Sequence, residues 1–350
     1  MRDWVRIGKT AMVFAGMIFG AGFASGQEHM VFFLRHGLWG VFGVVLAGIV
    51  MALCAVAVMD ICVRKKIANY KGFMAYVFGR RFGGVLDVLT ALFIFVLFSA
   101  MLAGAGALGQ QVLELPFTAG VVILAIIVFV VLLFDLRGIV EINAAITPIL
   151  VVGALALGLL SIFTSTQQAG AGFGDSHLGE VVLSSSIYAS YNMLTVIAVL
   201  SAMPLIVNSR KIAKWGGLLG GFLLILVGLV FVVALLGNFD AVYGAELPML
   251  ALSQNFAPWI FYGYTIILFL AIFTTAATNG FAFASWAKSR IRFGGTKVKT
   301  VMIIAAVIVA HFGFSAMVTH AYTFFGFLGL FIVVAILAKA VLSKRNSSYN

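Results

Sequence analysis

The strongest constraint in this chain is a succession of apolar stretches, each about as long as a bilayer is thick. A spanning helix needs roughly 20 predominantly apolar residues, and the sequence divides into ten candidates, at about 9–34, 38–63, 84–113, 117–135, 138–164, 180–207, 215–237, 258–287, 298–317 and 320–342. Little remains for a soluble domain. Hydrophobic residues make up 63% of the chain and charged residues 9%, a balance that excludes ordinary soluble globular classes. The expectation is an all-α integral membrane protein, one transmembrane domain over residues 1–350.

The net charge of +11 is not a nucleic-acid footprint once its placement is considered. With the N-terminus inside, ten spans put every Lys and Arg except Arg35 on cytoplasmic segments: Arg2 to Lys9, Arg64 to Arg81, Arg137, Arg210 to Lys214, Lys288 to Lys299, and Lys339 to Arg345. This is the positive-inside pattern, and a shift of one span would scatter it. Both termini are therefore expected in the cytoplasm. The basic start followed by an apolar run is read as the first span, because no tidy small-x-small cleavage site ends it. Cys54 and Cys62 read as reduced, apolar side chains that build no metal or disulfide framework.

Within the first span lies Gly20-Ala21-Gly22-Phe23-Ala24-Ser25-Gly26-Gln27-Glu28. Glycines and serine weaken helix propagation, and unwound backbone at membrane depth is tolerated only where it lines a protein cavity or site. An odd number of spans in each half makes the second half inverted relative to the first. The halves are taken as about 9–164 and 180–342, joined by the glycine-rich Gln167–Gly179 segment. A second interruption is expected in the sixth span, at Ser184 to Asn192, where four serines, two tyrosines and an asparagine cluster. The alternative for these hydroxyls is bonding back to the preceding turn. The Arg64–Phe82 stretch reads as interfacial, and the Asn238–Pro258 connection is long enough to hold a short helix over an outer vestibule.

The first and eighth spans together resemble the amino acid–polyamine–organocation superfamily, with the fold of the neurotransmitter:sodium symporters typified by LeuT. The Gly20–Glu28 segment and the chain length resemble the bacterial YkvI-type membrane proteins. The resemblance implies ten helices in a five-plus-five inverted repeat with helices 1 and 6 interrupted, in a bacterial cytoplasmic membrane. Ala15-Gly16 precedes Gly20-Ala21-Gly22 at the symporter spacing, so the resemblance implies sodium-binding carbonyls at Gly16 and Phe19. Ala271-Ile272-Phe273-Thr274-Thr275 fits the helix 8 pattern, which implies the Ala271 carbonyl and the Thr274 and Thr275 hydroxyls as the remaining sodium ligands. Oxygen donors suit a hard alkali cation. Phe23 stands where that family has an asparagine for a second sodium, and Gly26 where it has an external arginine.

The break leaves N–H groups near Gly22, Phe23 and Ala24 without intrahelical partners, a setting that favours an anionic group. Gly20 to Ser25, with Tyr188, Ser190, Tyr191 and Asn192, form the expected substrate site, and an amino acid or related small carboxylate fits it. Gln27 and Glu28 are the expected coupling or gating residues, Glu28 being able to take a proton, bind an amine or close a gate. Glu141 with Asn143, and Asp60, Asp87 and Asp135, read as structural groups at helix ends. Four histidines near outer helix ends, His29, His36, His311 and His320, do not compose a relay.

The expected function is a secondary active transporter of a small organic solute, with sodium as coupling ion, no other cofactor, the lipid bilayer as a partner and no nucleic acid. Oligomeric state is left open. A proton-coupled transporter using Glu28 is the first alternative. A non-transporting amino-acid sensor, similar to the membrane subunits of spore germinant receptors, is the second. Candidate nucleophiles and bases are scattered over helix ends, which speaks against an enzyme, and nothing resembles the repeated filter or charged ring of a channel.

Overall fold

The computed structural model describes residues 2–133, 136–164, 176–203, 207–290 and 294–345, with side chains described except at 2, 136–145, 147 and 343–345. Asp135, Arg137, Glu141, Asn143 and most of the Gln167–Gly179 join lie outside the described residues or side chains. All regular structure in the described residues is helical. Among the described residues, six helices are long and apolar enough to cross a membrane: Trp39–Lys65, Arg80–Leu113, Leu178–Leu200, Arg210–Leu236, Pro258–Lys288 and the continuous Phe314–Leu342 stretch. Phe117–Leu133 and Pro148–Thr164 are shorter apolar helices. The molecule is a multi-pass membrane protein.

The N-terminal span is three helices in series: α1 (Arg2–Ile18), α2 (Ala21–Ser25) and α3 (Gln27–Phe32). Backbone unwinds at Phe19 and Gly20, where Gly20 is extended, at φ −86° and ψ −173°. A second bend follows at Gly26, whose φ of +81° is in the left-handed region. A Cβ there would also lie 2.8 Å from the Met249 side chain, so only glycine fits without strain. The helix starts at Arg2 instead of near residue 9, extending the first span beyond its apolar stretch.

Next come α4 (Trp39–Lys65), α5 (Tyr70–Phe78), α6 (Arg80–Leu113), α7 (Phe117–Leu133) and α8 (Leu136–Thr164). The Asn69 side chain accepts a hydrogen bond from the Gly72 N–H at 2.7 Å and starts α5. After the join come α9 (Leu178–Leu200), α10 (Arg210–Leu236), the short α11 (Phe239–Val242) and α12 (Pro248–Ser253), and α13 (Pro258–Lys288). The chain ends in α14 (Gly295–Ala310), the short α15 (Phe314–Ala316), a π-helical stretch at Met317–Tyr322, and α16 (Thr323–Arg345). The boundary between the last two spans falls at Gly313, at φ +86°, not near residue 318 as the hydropathy implied. There the chain reverses and restarts as helix.

The expected interruption of the sixth span is not there: α9 is continuous from Leu178 to Leu200. Three of its polar side chains bond back on their own helix. The Ser185 and Ser186 hydroxyls donate to the Val181 and Val182 carbonyls at 2.6 and 2.7 Å, and the Asn192 amide donates to the Tyr188 carbonyl at 3.0 Å. Side-chain bonding to the preceding turn satisfies these groups without opening the backbone ladder.

Helix α10 is the hub, packed between α1 and α4. Gly216 and Gly220 face α1, where added Cβ atoms would lie 2.6 Å from Thr10 and 2.5 Å from Phe14. Gly217 and Gly221 face α4, where they would lie 2.7 Å from Val56 and 2.4 Å from Ala52. Two adjacent faces of small residues let three helix backbones approach closely, the means by which packing replaces hydrophobic drive inside a bilayer. This packing holds α1 in place up to its break.

Candidate functional site

The break between α1 and α2 forms one wall of a cavity of about 80 Å³. Its other walls come from α6, α9, α13 and the π-helical stretch before α16. Of the expected substrate residues, Gly20, Ala21, Gly22, Tyr191 and Asn192 line this cavity. Phe23 does not. Its ring packs against Phe19 at 4.9 Å, His29 at 4.5 Å and Phe231 at 5.3 Å, facing α10.

Ala24, Ser25, Tyr188 and Ser190 also serve packing. The Ala24 carbonyl accepts from the Tyr264 hydroxyl at 2.5 Å. The Ser25 hydroxyl donates to the Gly22 carbonyl at 3.0 Å and accepts from the Gln27 N–H at 3.2 Å, tying α2 to α3. Tyr188 sits among Phe32, Phe33 and His29. Ser190 packs on Gly329, where a Cβ would lie 2.8 Å from the Ser190 carbonyl oxygen. The Ala24 N–H is bonded to the Gly20 carbonyl at 2.9 Å, so the free donors of α2 begin one position earlier than expected, at Ala21.

Glu28 and Gln27, adjacent in sequence, go to different places. Glu28 lines the cavity although its residue is only 6% exposed. Its side chain folds back over α2, so that a Cβ on Gly22 would lie 2.1 Å from Glu28 Oε1. The rings of Tyr188 and Tyr191 carry their hydroxyls toward this carboxyl. Yet Glu28 Oε2 and the hydroxyls of Tyr188, Tyr191 and Tyr322 all lack a hydrogen-bond partner of normal geometry. The protein's own carboxyl group thus lies on the cavity wall beside Gly22, in the region expected to hold the substrate. Gln27 instead points to the start of α15, where its amide donates to the Ser315 hydroxyl at 2.6 Å. The Ser315 N–H donates in turn to Glu246 Oε2 at 2.7 Å, in the connection between α11 and α12.

The five residues implied as sodium ligands divide as well. Gly16, Phe19 and Thr275 line the cavity, and Thr275 Oγ1 lies 3.3 Å from the position a Cβ would take on Gly20. Ala271 and Thr274 do not line it. The Thr274 hydroxyl points to the carbonyls of Leu270 at 2.9 Å and Ala271 at 3.3 Å. Consecutive helix positions point about 100° apart, which separates Thr274 from Thr275. Among the described residues no cluster of three or more His, Cys, Asp or Glu could hold a metal ion.

Sequence reasoning missed Thr195, Thr278, Asn279, Phe93 and Tyr322, which also line the cavity. Thr275, Thr278 and Asn279 follow i, i+3, i+4 spacing, the signature of one helix face, so this polar stripe in an apolar span was readable. Phe93 and Tyr322 carried no such signal. Asp87 is bound by Arg290 at 2.5 Å and by the Trp286 indole at 3.2 Å, and Asp60 by Arg64 at 2.9 Å and Arg210 at 2.8 Å, all outside the cavity. His29 is buried beside Phe23, His311 bonds Thr118 at 3.1 Å, and His320 is exposed.

No family model matches the chain. It is 27% identical over 336 residues to the membrane protein YkvI of Bacillus subtilis (strain 168), covering 96% of each chain. It is 27% identical over 343 residues to YyaD of the same organism, covering 96% of this chain and 97% of that one. Among solved structures, the manganese transporter of Eremococcus coleocola, in complex with an aromatic bis-isothiourea substituted compound, aligns with a TM-score of 0.57 at 15% identity, over 96% of this chain and 76% of that one. Mhp1 in its inward-facing conformation aligns with a TM-score of 0.57 at 14% identity, over 97% of this chain and 77% of that one. The chain is thus similar to the membrane protein YkvI and to YyaD over nearly its whole length, and it shares the LeuT-like fold of the two solved transporters.

Proposed function

We propose that this protein is a secondary active transporter of a small organic solute, an amino acid or a related molecule, working by alternating access around the α1–α2 break. The observation that carries this reading is the cavity itself. It lies at unwound backbone and is lined by Glu28, Tyr191 and Thr278, which hold buried polar atoms without partners. Buried polar groups left unpaired are costly, and a polar solute would satisfy them.

In this reading the chain crosses the bacterial cytoplasmic membrane ten times with both termini inside, as two inverted halves. The contact pattern supports it: α1 packs on α10 as α9 packs on α4, and α8 packs on α10 as α16 packs on α4. Exchanging the halves maps each pair onto the other, as an inverted repeat requires. In the same reading the Gln27–Ser315–Glu246 hydrogen bonds lie on the external side, tying α3 to α15 and to the connection between α11 and α12.

Sodium is the coupling ion in the leading form of the proposal, supported by Gly16, Phe19 and Thr275 around the break. Ala271 and Thr274 complete the set once the Thr274 hydroxyl leaves its backbone partners. Uptake of an amino-acid panel into proteoliposomes, with and without an inward sodium gradient, tests this. Thr274→Ala with Thr275→Ala is expected to remove the sodium dependence, and a double variant with wild-type dependence would refute sodium coupling. The placement of Glu28 supports proton coupling as a second reading, for which uptake driven by a pH gradient in sodium-free medium is the sign.

A further inference from the structure

We propose that the cavity binds an organic ammonium ion against the Glu28 carboxylate, and that the ammonium and a proton occupy that carboxyl group in exchange. This deepens the transporter reading and rests on it for net movement, though not for binding. Three observations carry it.

Charge comes first. Among the described residues Glu28 is the one carboxylic acid lining the cavity, and none of the lining residues is Lys, Arg or His. A lone carboxylate without a counter-ion is expensive in so enclosed a site. It is relieved by a proton or by a bound cation. The groups facing it from neighbouring elements are Tyr188 and Tyr191 of α9 and Tyr322 of the π-helical stretch. The imidazole of His29, next in its own helix, packs among Phe23, Phe33 and Phe231. None of these supplies a cation on the cavity side.

Shape comes second. Phe93, Tyr191 and Tyr322 all line the cavity and pack on one another, with centroids 6.1, 5.8 and 5.2 Å apart. Aromatic faces beside a carboxylate are the surroundings that hold an ammonium group. The unpartnered Tyr191, Tyr322 and Thr278 oxygens can accept its N–H donors. Third, the Glu28 carboxyl is folded back against Gly22 at the cavity wall. A solute whose only charge is a carboxylate would meet like charge there.

The exchange step balances simply. The protonated carboxyl of Glu28 releases its proton to water as the alkylammonium ion forms an ion pair with the carboxylate, and no covalent bond to carbon changes. Affinity for the ammonium therefore rises with pH while the proton competes, approaching tenfold per pH unit.

The test uses purified full-length protein in detergent and two probes of matched shape, isobutylammonium chloride and sodium isovalerate. Calorimetry in buffers of different ionisation enthalpy is expected to show isobutylammonium binding with release of a proton, and no binding of isovalerate. Glu28→Gln is expected to weaken isobutylammonium binding at least tenfold and to abolish proton release. If that variant does not fold, Glu28→Asp and the wild-type proton count decide. Binding of isovalerate in preference to isobutylammonium, binding of neither, ammonium binding without proton release, or unchanged binding in the folded Glu28→Gln variant would each overturn the proposal. Ammonium binding with proton release but no flux in proteoliposomes would leave the site standing and refute transport. Solute flux that ignores Glu28 would do the reverse.

Discussion

At the residue scale, Gly26 decides what Gln27 and Glu28 can do. Its left-handed φ and its contact with Met249 set the direction in which α3 leaves α2. Gly26→Ala should lose about 1–2 kcal/mol from backbone strain alone, more if Met249 cannot move. A lowered melting temperature in detergent, larger than that of Gly84→Ala, would show it; a Cβ on Gly84 meets nothing within 4 Å. Outside the spans, His36 accepts a hydrogen bond from Arg35 Nε at 3.0 Å and lies 3.0 Å from Ser176 Oγ. Burial, then the Arg35 charge, holds its imidazole below its ordinary value of 6.5. The neutral ring is the one that accepts from Arg35, so the stability it contributes is present above that ordinary value and falls away as pH drops below it. Melting curves from pH 8 to 5 should fall more steeply for the wild type than for His36→Gln.

At the element scale, the first and sixth spans show how far local sequence reaches. Gly20, Gly22 and Gly26 marked a place where helix is weak, and the break lies there. The serines and tyrosines of the sixth span gave a similar polar signal, and α9 is unbroken. Glycine weakens a helix through its own backbone, whereas a hydroxyl acts through whichever partner it finds. For Ser185 and Ser186 those partners are carbonyls one turn back, and for Ser184 the Phe32 carbonyl at 2.7 Å, across to α3. Ser184→Ala leaves that carbonyl unpaired and should cost about 1 kcal/mol, readable as a small drop in melting temperature. Gly220→Leu, placed where α10 meets Phe14 and the Ala11 carbonyl, should push α1 from α10 and cost roughly 1–3 kcal/mol, with loss of monodisperse protein as the sign.

At the scale of the whole molecule, two polar links join the halves at opposite ends. Asp60 of α4 binds Arg64 and Arg210, at the N-terminus of α10. Asp60→Ala strands Arg64, whose side chain is 14% exposed, and should destabilise on the order of 3 kcal/mol; the same variant with Arg64→Met should recover part of it. Gln27, Ser315 and Glu246 make the other link. Gln27→Ala should loosen this link, seen as faster labelling of a cysteine placed at Ser25 by a thiol reagent. The membrane class of the chain, the placement of its apolar stretches and the weak point in the first span were determined by the sequence, because hydropathy, charge asymmetry and glycine content act locally. Only the tertiary structure decided that Glu28 folds back beside Gly22 into the cavity, that Thr275 reaches the cavity while Thr274 does not, and that Phe93 and Tyr322 complete its wall. Those outcomes depend on which helix faces meet across the molecule, and the turn at one left-handed glycine sets them as much as the side chains do.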